Sequence, residues 1–166
     1  MNECWSAHFM SDASWCGRRF RTINVVDDSN CEVLAIEVDF NLPAALVVRP
    51  LERIAAQRGY SVKLRLDNGP ELISLALAYW AEHGVTLEFI KPTRPMQNAF
   101  IERFNRSYRE AVLDMFVFQS LEEVREQTEP WLKEYNEERP HDSLGDMTPE
   151  EFLLTQQPEV STYEWS

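Results

Sequence analysis

Two runs in which branched and aromatic residues alternate with polar ones, Arg19 to Val26 and Glu32 to Phe40, flank the turn-forming sequence Asp27-Asp28-Ser29-Asn30. Alternation fits a pleated strand with unlike faces, and the residues between favour a turn, so this part of the chain reads as a β-hairpin. Upstream, His8 to Asp12 reads as the end of an adjoining strand, with Ser14 to Gly17 as the connecting turn. Three antiparallel strands are expected.

Beyond Phe40 the hydrophobic period becomes helical. Pro43 opens a helix with Leu46, Val47, Leu51, Ile54 and Ala55 in its apolar stripe, and Gly59 closes it. Val62 to Leu66 reads as a strand running into Asp67-Asn68-Gly69-Pro70. A helix with Leu72, Leu75, Ala76, Tyr79 and Trp80 on one side follows, ends at Gly84 and leads to a strand over Thr86 to Ile90. After a proline-rich loop, Lys91 to Gln97, a further helix carries Phe100, Phe104, Tyr108, Ala111, Val112 and Met115. Ser120 with Glu123, and Thr148 with Pro149 and Glu151, are capping-box starts. The first begins a helix with Val124, Thr128, Trp131, Leu132 and Tyr135 along one face; the second begins a short helix before a loose acidic tail. Pro50 and Pro130 fall inside apolar stripes, where a proline costs about 3 kcal/mol. Alternatively Pro130 starts a new helix and Pro50 marks a tolerated kink. Periodicity alone gives a mixed α and β chain.

The 166 residues suit one domain with a core that needs no disulfide or structural metal. Cys4, Cys16 and Cys31 are odd in number and lack zinc-site spacing, so they read as reduced thiols of a cytoplasmic protein. No apolar run reaches the roughly 20 residues that cross a bilayer, and a soluble intracellular chain without a membrane partner is expected. The net charge of -12 argues at first against nucleic acid. Yet residues 121–166 hold thirteen acidic residues against Arg125, Lys133 and Arg139, or -10 of that total. Within the nearly neutral remainder, Lys91, Arg94, Arg103, Arg106 and Arg109 form a basic cluster, readable as a DNA contact or as a solvated face.

Two carboxylates stand out near that cluster. Asp67 lies just past a strand end, where loops often place functional groups, although Asp-Asn-Gly-Pro is also an ordinary turn. Glu102 occupies the first turns of a helix, where the helix N-terminus alone would stabilise it. The helix, strand and loop between them could return both to one sheet edge. Converging carboxylates bind hard cations such as magnesium, and two metals about 3.5 to 4 Å apart serve phosphodiester chemistry.

Four segments together resemble the integrase core of bacterial insertion-sequence transposases of the DDE type, within the retroviral-integrase-like superfamily. They are Trp5-Ser6-Ala7-His8-Phe9, Leu66-Asp67-Asn68-Gly69-Pro70-Glu71, Gln97-Asn98-Ala99-Phe100-Ile101-Glu102-Arg103-Phe104-Asn105 and Tyr135-Asn136-Glu137-Glu138-Arg139-Pro140-His141. The resemblance spans about residues 4 to 153. It implies an RNase H-like fold, with a mixed five-stranded sheet flanked by helices and a helical C-terminal extension. Boundaries follow: residues 1–118 for the catalytic core, 119–155 for the extension and 156–166 for the acidic tail. It also implies DNA nicking and strand transfer at element ends, magnesium or manganese as cofactor, transposon-end and target DNA as partners, a homo-oligomer on DNA and a nucleoid-associated location. Asp67 matches the second catalytic aspartate and Glu102 the glutamate. The stretch between them, 34 residues, is one shorter than the family's usual interval. The chain opens on the first core strand, so a helix-turn-helix region is expected from an upstream protein or frame.

The family's first aspartate is His8 here. As a substitute ligand, a neutral imidazole offers one lone pair where a carboxylate can bridge two ions, and it suits zinc, copper or nickel better than magnesium. Asp12 shares a strand face with position 8 but lies about 13 Å away along the chain. The third reading is a damaged site in a decaying transposase, with Pro50 and Pro130 as further conflicts between residue and pattern. The expectation is an impaired enzyme. The alternatives are a noncatalytic DNA-binding or multimerising fragment and a metal-dependent nuclease of the same fold.

Overall fold

The computed structural model of the chain describes residues 2–67, 75–90, 99–138 and 144–156. The alternating runs form the expected hairpin: β2 (Arg19–Asp27) and β3 (Glu32–Asp39) pair antiparallel, with a register shift between Val25 and Val26. β1 (Cys4–Ala13) pairs antiparallel with β2 and is longer than the expected His8 to Asp12, because its first half is paired on both edges. β4 (Lys63–Asp67) and β5 (Thr86–Ile90) continue the sheet from β1, each parallel to its neighbour, giving the order β3-β2-β1-β4-β5. Parallel neighbours require crossovers. α1 (Ala44–Arg58) lies between β3 and β4 in the chain, and α2 (Leu75–Ala81) between β4 and β5. This is the RNase H-like arrangement.

Successive strand residues face opposite ways, so the sheet carries two cores. On one side Trp5, Ala7, Ile23, Val25, Leu64 and Leu66 pack with residues of α1 and α2. Trp80 of α2 stacks on Trp5 with ring centroids 6.3 Å apart. On the other side Met10, Phe20, Val26 and Val38 meet α3 (Ala99–Tyr108) and α4 (Leu121–Glu137). Phe104 and Tyr108 of α3 interleave with Trp131 and Tyr135 of α4 at ring-centroid distances of 5.2 to 5.7 Å, which fixes α3 against α4. Asn136 donates to the Val33 carbonyl and accepts from its N–H, so α4 also caps the backbone of edge strand β3.

Both capping boxes form. The Ser120 hydroxyl accepts from Glu123 N–H at 3.2 Å, and Thr148 and Glu151 bond reciprocally at 3.1 Å ahead of α5 (Pro149–Gln156). Three expectations need correction. In α2 the buried residues are Leu77 and Trp80, while Leu75 and Tyr79 are exposed: packing of Trp80 on Trp5 sets the rotation of this short helix. After Tyr108 the helix widens into a π-helical turn, Arg109–Leu113. The extra residue shifts the buried stripe, so Leu113 enters the core and Ala111 and Met115 face solvent. Finally, α4 runs unbroken through Pro130, and no new helix begins there.

Candidate active site

The central strand fixes where His8 stands. It is level with Asn24 of β2, and its predecessor Ala7 pairs with Leu66 of β4. His8 is thus one step along the parallel register, beside the backbone of Asp67, which ends β4. The Asp67 side chain lies outside the described residues, as do Asn68-Gly69-Pro70, Lys91, Arg94 and His141.

Glu102 stands on the helix that packs over this strand. Burial of Ile101, Phe104 and Tyr108 leaves Glu102 exposed in the first turn of α3. Asn105, one turn further on the same side, approaches β1, and its side-chain amide meets His8 Nδ1 at 2.6 Å. A direct side-chain bond therefore ties the helix that carries Glu102 to the strand that carries His8. The fold sets position 8 beside the backbone of position 67 and puts Glu102 on the helix that is bonded to His8 through Asn105.

The other acids near this strand are engaged elsewhere. Asp12 faces Arg109 at 3.7 Å, and Arg109 also donates to the Ser11 carbonyl at 3.0 Å. Asp27 sits level with Trp5, about 10 Å back along β1 from His8. It is buried, accepts from Asn2 N–H at 2.8 Å and faces the Arg58 guanidinium at 3.1 Å. Asp28 accepts from the Ser6 hydroxyl at 2.6 Å, and burial raises its carboxyl above the ordinary range. Of the basic cluster, Arg103 and Arg106 are exposed on α3, whereas Arg109 is partly taken up by β1. Among the described residues, no group of three or more His, Cys, Asp or Glu side chains could hold a metal.

Sequence reasoning missed a polar chain behind His8. Thr22 donates to Asn24 Oδ1 at 3.0 Å, Asn24 Nδ2 donates to Asn105 Oδ1 at 2.8 Å, and Asn105 leads to His8. The available signal was Thr22 and Asn24 on the same strand face as Phe20 and Val26, two polar residues amid core positions.

The integrase core domain family matches residues 1–95, and a second integrase core domain pattern matches 83–149. The chain belongs to the integrase core domain family. It is 43% identical over 152 residues to the insertion element IS407 31.7 kDa protein of Burkholderia multivorans, covering 91% of this chain and 55% of that protein. Against the insertion element IS476 39.2 kDa protein of Xanthomonas euvesicatoria, identity is 41%, covering 91% of this chain and 44% of that one. The integrase core therefore spans about half the length of these relatives. The HTLV-2 integrase catalytic core domain, solved in complex with magnesium, superposes with a TM-score of 0.71 at 12% identity, over 91% of this chain and 95% of that chain. At that identity the likeness establishes the fold. No helix among the described residues is long and apolar enough to cross a membrane.

Proposed function

We propose that the chain is the integrase core of an insertion-element DDE transposase, serving DNA nicking and strand transfer at element ends, and impaired because His8 stands in the first acidic position. The observation that supports this reading is the placement of His8 beside the Asp67 backbone by parallel register, with the helix that carries Glu102 bonded to His8 through Asn105. Asp67 and Glu102 supply the oxygen donors that magnesium or manganese prefers, and bound metal would supply Lewis-acid activation of the nucleophile. His8 does not fit that role: a neutral imidazole offers one nitrogen lone pair where a carboxylate offers two oxygens, and only Nε2 is left for it, since Nδ1 is engaged by Asn105. Arg103 and Arg106, with Lys91 and Arg94, would meet the DNA backbone, while Arg109 holds the helix end to β1. The working form is a homo-oligomer on DNA, aided by an upstream helix-turn-helix segment or partner.

The test is cleavage of a labelled element end with magnesium or manganese by the unmodified chain and by His8→Asp. Changes beyond the first metal shell commonly cost 10 to 100-fold, so restoring a ligand within it should raise cleavage by more than about 100-fold. Equal cleavage by both chains refutes impairment. If both are silent yet bind the end, the noncatalytic DNA-binding fragment replaces this reading.

A further inference from the structure

His8 is held by a chain of side-chain amides whose direction determines which imidazole nitrogen carries the proton. The members are interior groups: Asn24 is 0% exposed, Thr22 1% and Asn105 9%. Only two arrangements satisfy such a chain, because turning one amide forces the next to turn. In the first, Asn24 Nδ2 donates to Asn105 Oδ1, Asn105 Nδ2 donates to His8 Nδ1, and that ring nitrogen accepts. In the second, every bond is reversed and His8 donates from Nδ1.

Thr22 does not discriminate, since its hydroxyl donates or accepts equally well. Met10 does. Its sulfur lies 3.1 Å from Asn24 Nδ2, and a thioether accepts but never donates. In the first arrangement, one Asn24 N–H goes to Asn105 and the other to this sulfur. In the second, the Asn24 oxygen would face the sulfur, two lone-pair atoms in contact with no proton between them. Met10 is 7% exposed and belongs to the core under α3, so it is held in place as the reference acceptor.

We propose that Asn24 and Asn105 are positioning residues that hold His8 as the Nε2–H tautomer, so that position 8 brings a proton donor to the site in place of a metal-binding lone pair. The hydrogen bond at one ring nitrogen sets what the other offers. For Nε2 to bind a cation, the proton must move to Nδ1, both amides must turn and Asn24 Oδ1 must press on Met10. His8 therefore differs from the family's aspartate in sign as well as in shape: it donates where the carboxylate would accept. The consequence for the site rests on the proposed function, but the tautomer itself does not.

The decisive measurement is long-range proton–nitrogen correlation on protein labelled with nitrogen-15 in its histidines, in metal-free, mildly alkaline buffer without DNA. The three histidines are His8, His83 and His141, and His8→Ala identifies the signals of interest. An unprotonated Nδ1 with a protonated Nε2 is expected at His8. A protonated Nδ1, or an even mixture, overturns the proposal. Asn105→Asp supplies the reverse test, because a carboxylate can only accept: His8 should move to Nδ1–H, and zinc affinity should rise at least tenfold, a gain lost on adding His8→Ala. Retention of Nε2–H in that variant would also overturn it. If Asn105→Asp does not fold, Met10→Leu removes the reference acceptor at similar volume, and a second tautomer should become visible; its absence counts against the relay. Neither readout needs magnesium or DNA. Cleavage by the unmodified chain would thus sink the impaired-site reading while leaving the tautomer standing.

Discussion

Replacing Pro130 with alanine should stabilise the protein, and the size of the gain follows from its place in α4. Position 130 is the tenth of the seventeen residues from Leu121 to Glu137, well past the first turn where proline is harmless. Without an N–H it leaves the Glu126 carbonyl short of its helical donor, and its ring crowds that same carbonyl. The intrinsic difference between proline and alanine in a helix interior is about 3 kcal/mol. Pro130 is exposed, with only a grazing share of the groove wall beside Val33 and Leu34, so little packing is lost. A net gain of about 2 to 3 kcal/mol is expected. For a chain of this size, each kcal/mol moves the melting point by about 2 to 4 °C, which gives about 4 to 12 °C. Urea unfolding and a thermal melt read the two figures independently. Pro50→Ala is the internal comparison: Pro50 is buried in α1, so lost contacts offset the restored hydrogen bond and the gain should be smaller. No gain at Pro130, or a gain larger at Pro50, would refute the continuous helix and the cost assigned to it.

Two further outcomes test the second core. Leu113→Ala should cost about 2 to 5 kcal/mol as a buried truncation, while Met115→Ala should stay within about 0.5 kcal/mol, because the π-helical turn puts Leu113 at 3% exposure and Met115 at 67%; urea unfolding that ranks them the other way would contradict the phase shift. Burial pushes the Tyr108 hydroxyl from 10.0 up to about 12, so on raising the pH the unfolded chain loses this proton first and stability falls between those values, by about 3 kcal/mol at most. Cys4, raised mainly by burial to about 12, acts with the same sign. Tyr108→Phe should flatten this alkaline loss, at a cost near neutral pH of about 1 to 2 kcal/mol from the Thr128 hydroxyl that sits 2.6 Å away. An unchanged alkaline slope would place the titration elsewhere.

How far the fold could be read from sequence varied with the range of the interactions involved. The β2–β3 hairpin, the Thr86–Ile90 strand and both capping boxes depend on neighbours in the chain, and the structure contains each of them. Alternation could not show that β1 is paired on both edges, because one of those edges is made by a segment far along the chain. Helical periodicity assumed a fixed 3.6-residue repeat. It therefore gave the right stripe up to Tyr108, but beyond it only Val112 held, because a single added residue turns Leu113 inward and Ala111 and Met115 outward. In α2, the stacking of Trp80 on Trp5 decided the buried side, and seven residues carry too little periodicity to outweigh it.

The sequence by itself determined the family and the three candidate positions, because residue identities in four short segments specify these without any knowledge of contacts. It also exposed the histidine in the acidic position and the chemical mismatch of imidazole with magnesium. The tertiary structure decided what surrounds His8. Strand register sets it beside the Asp67 backbone, α3 brings Asn105 to its Nδ1, and Asn24 and Met10 give that bond its direction. Such direction has no sequence signature, since an amide looks the same either way round until a sulfur atom from another strand is placed against one of its ends.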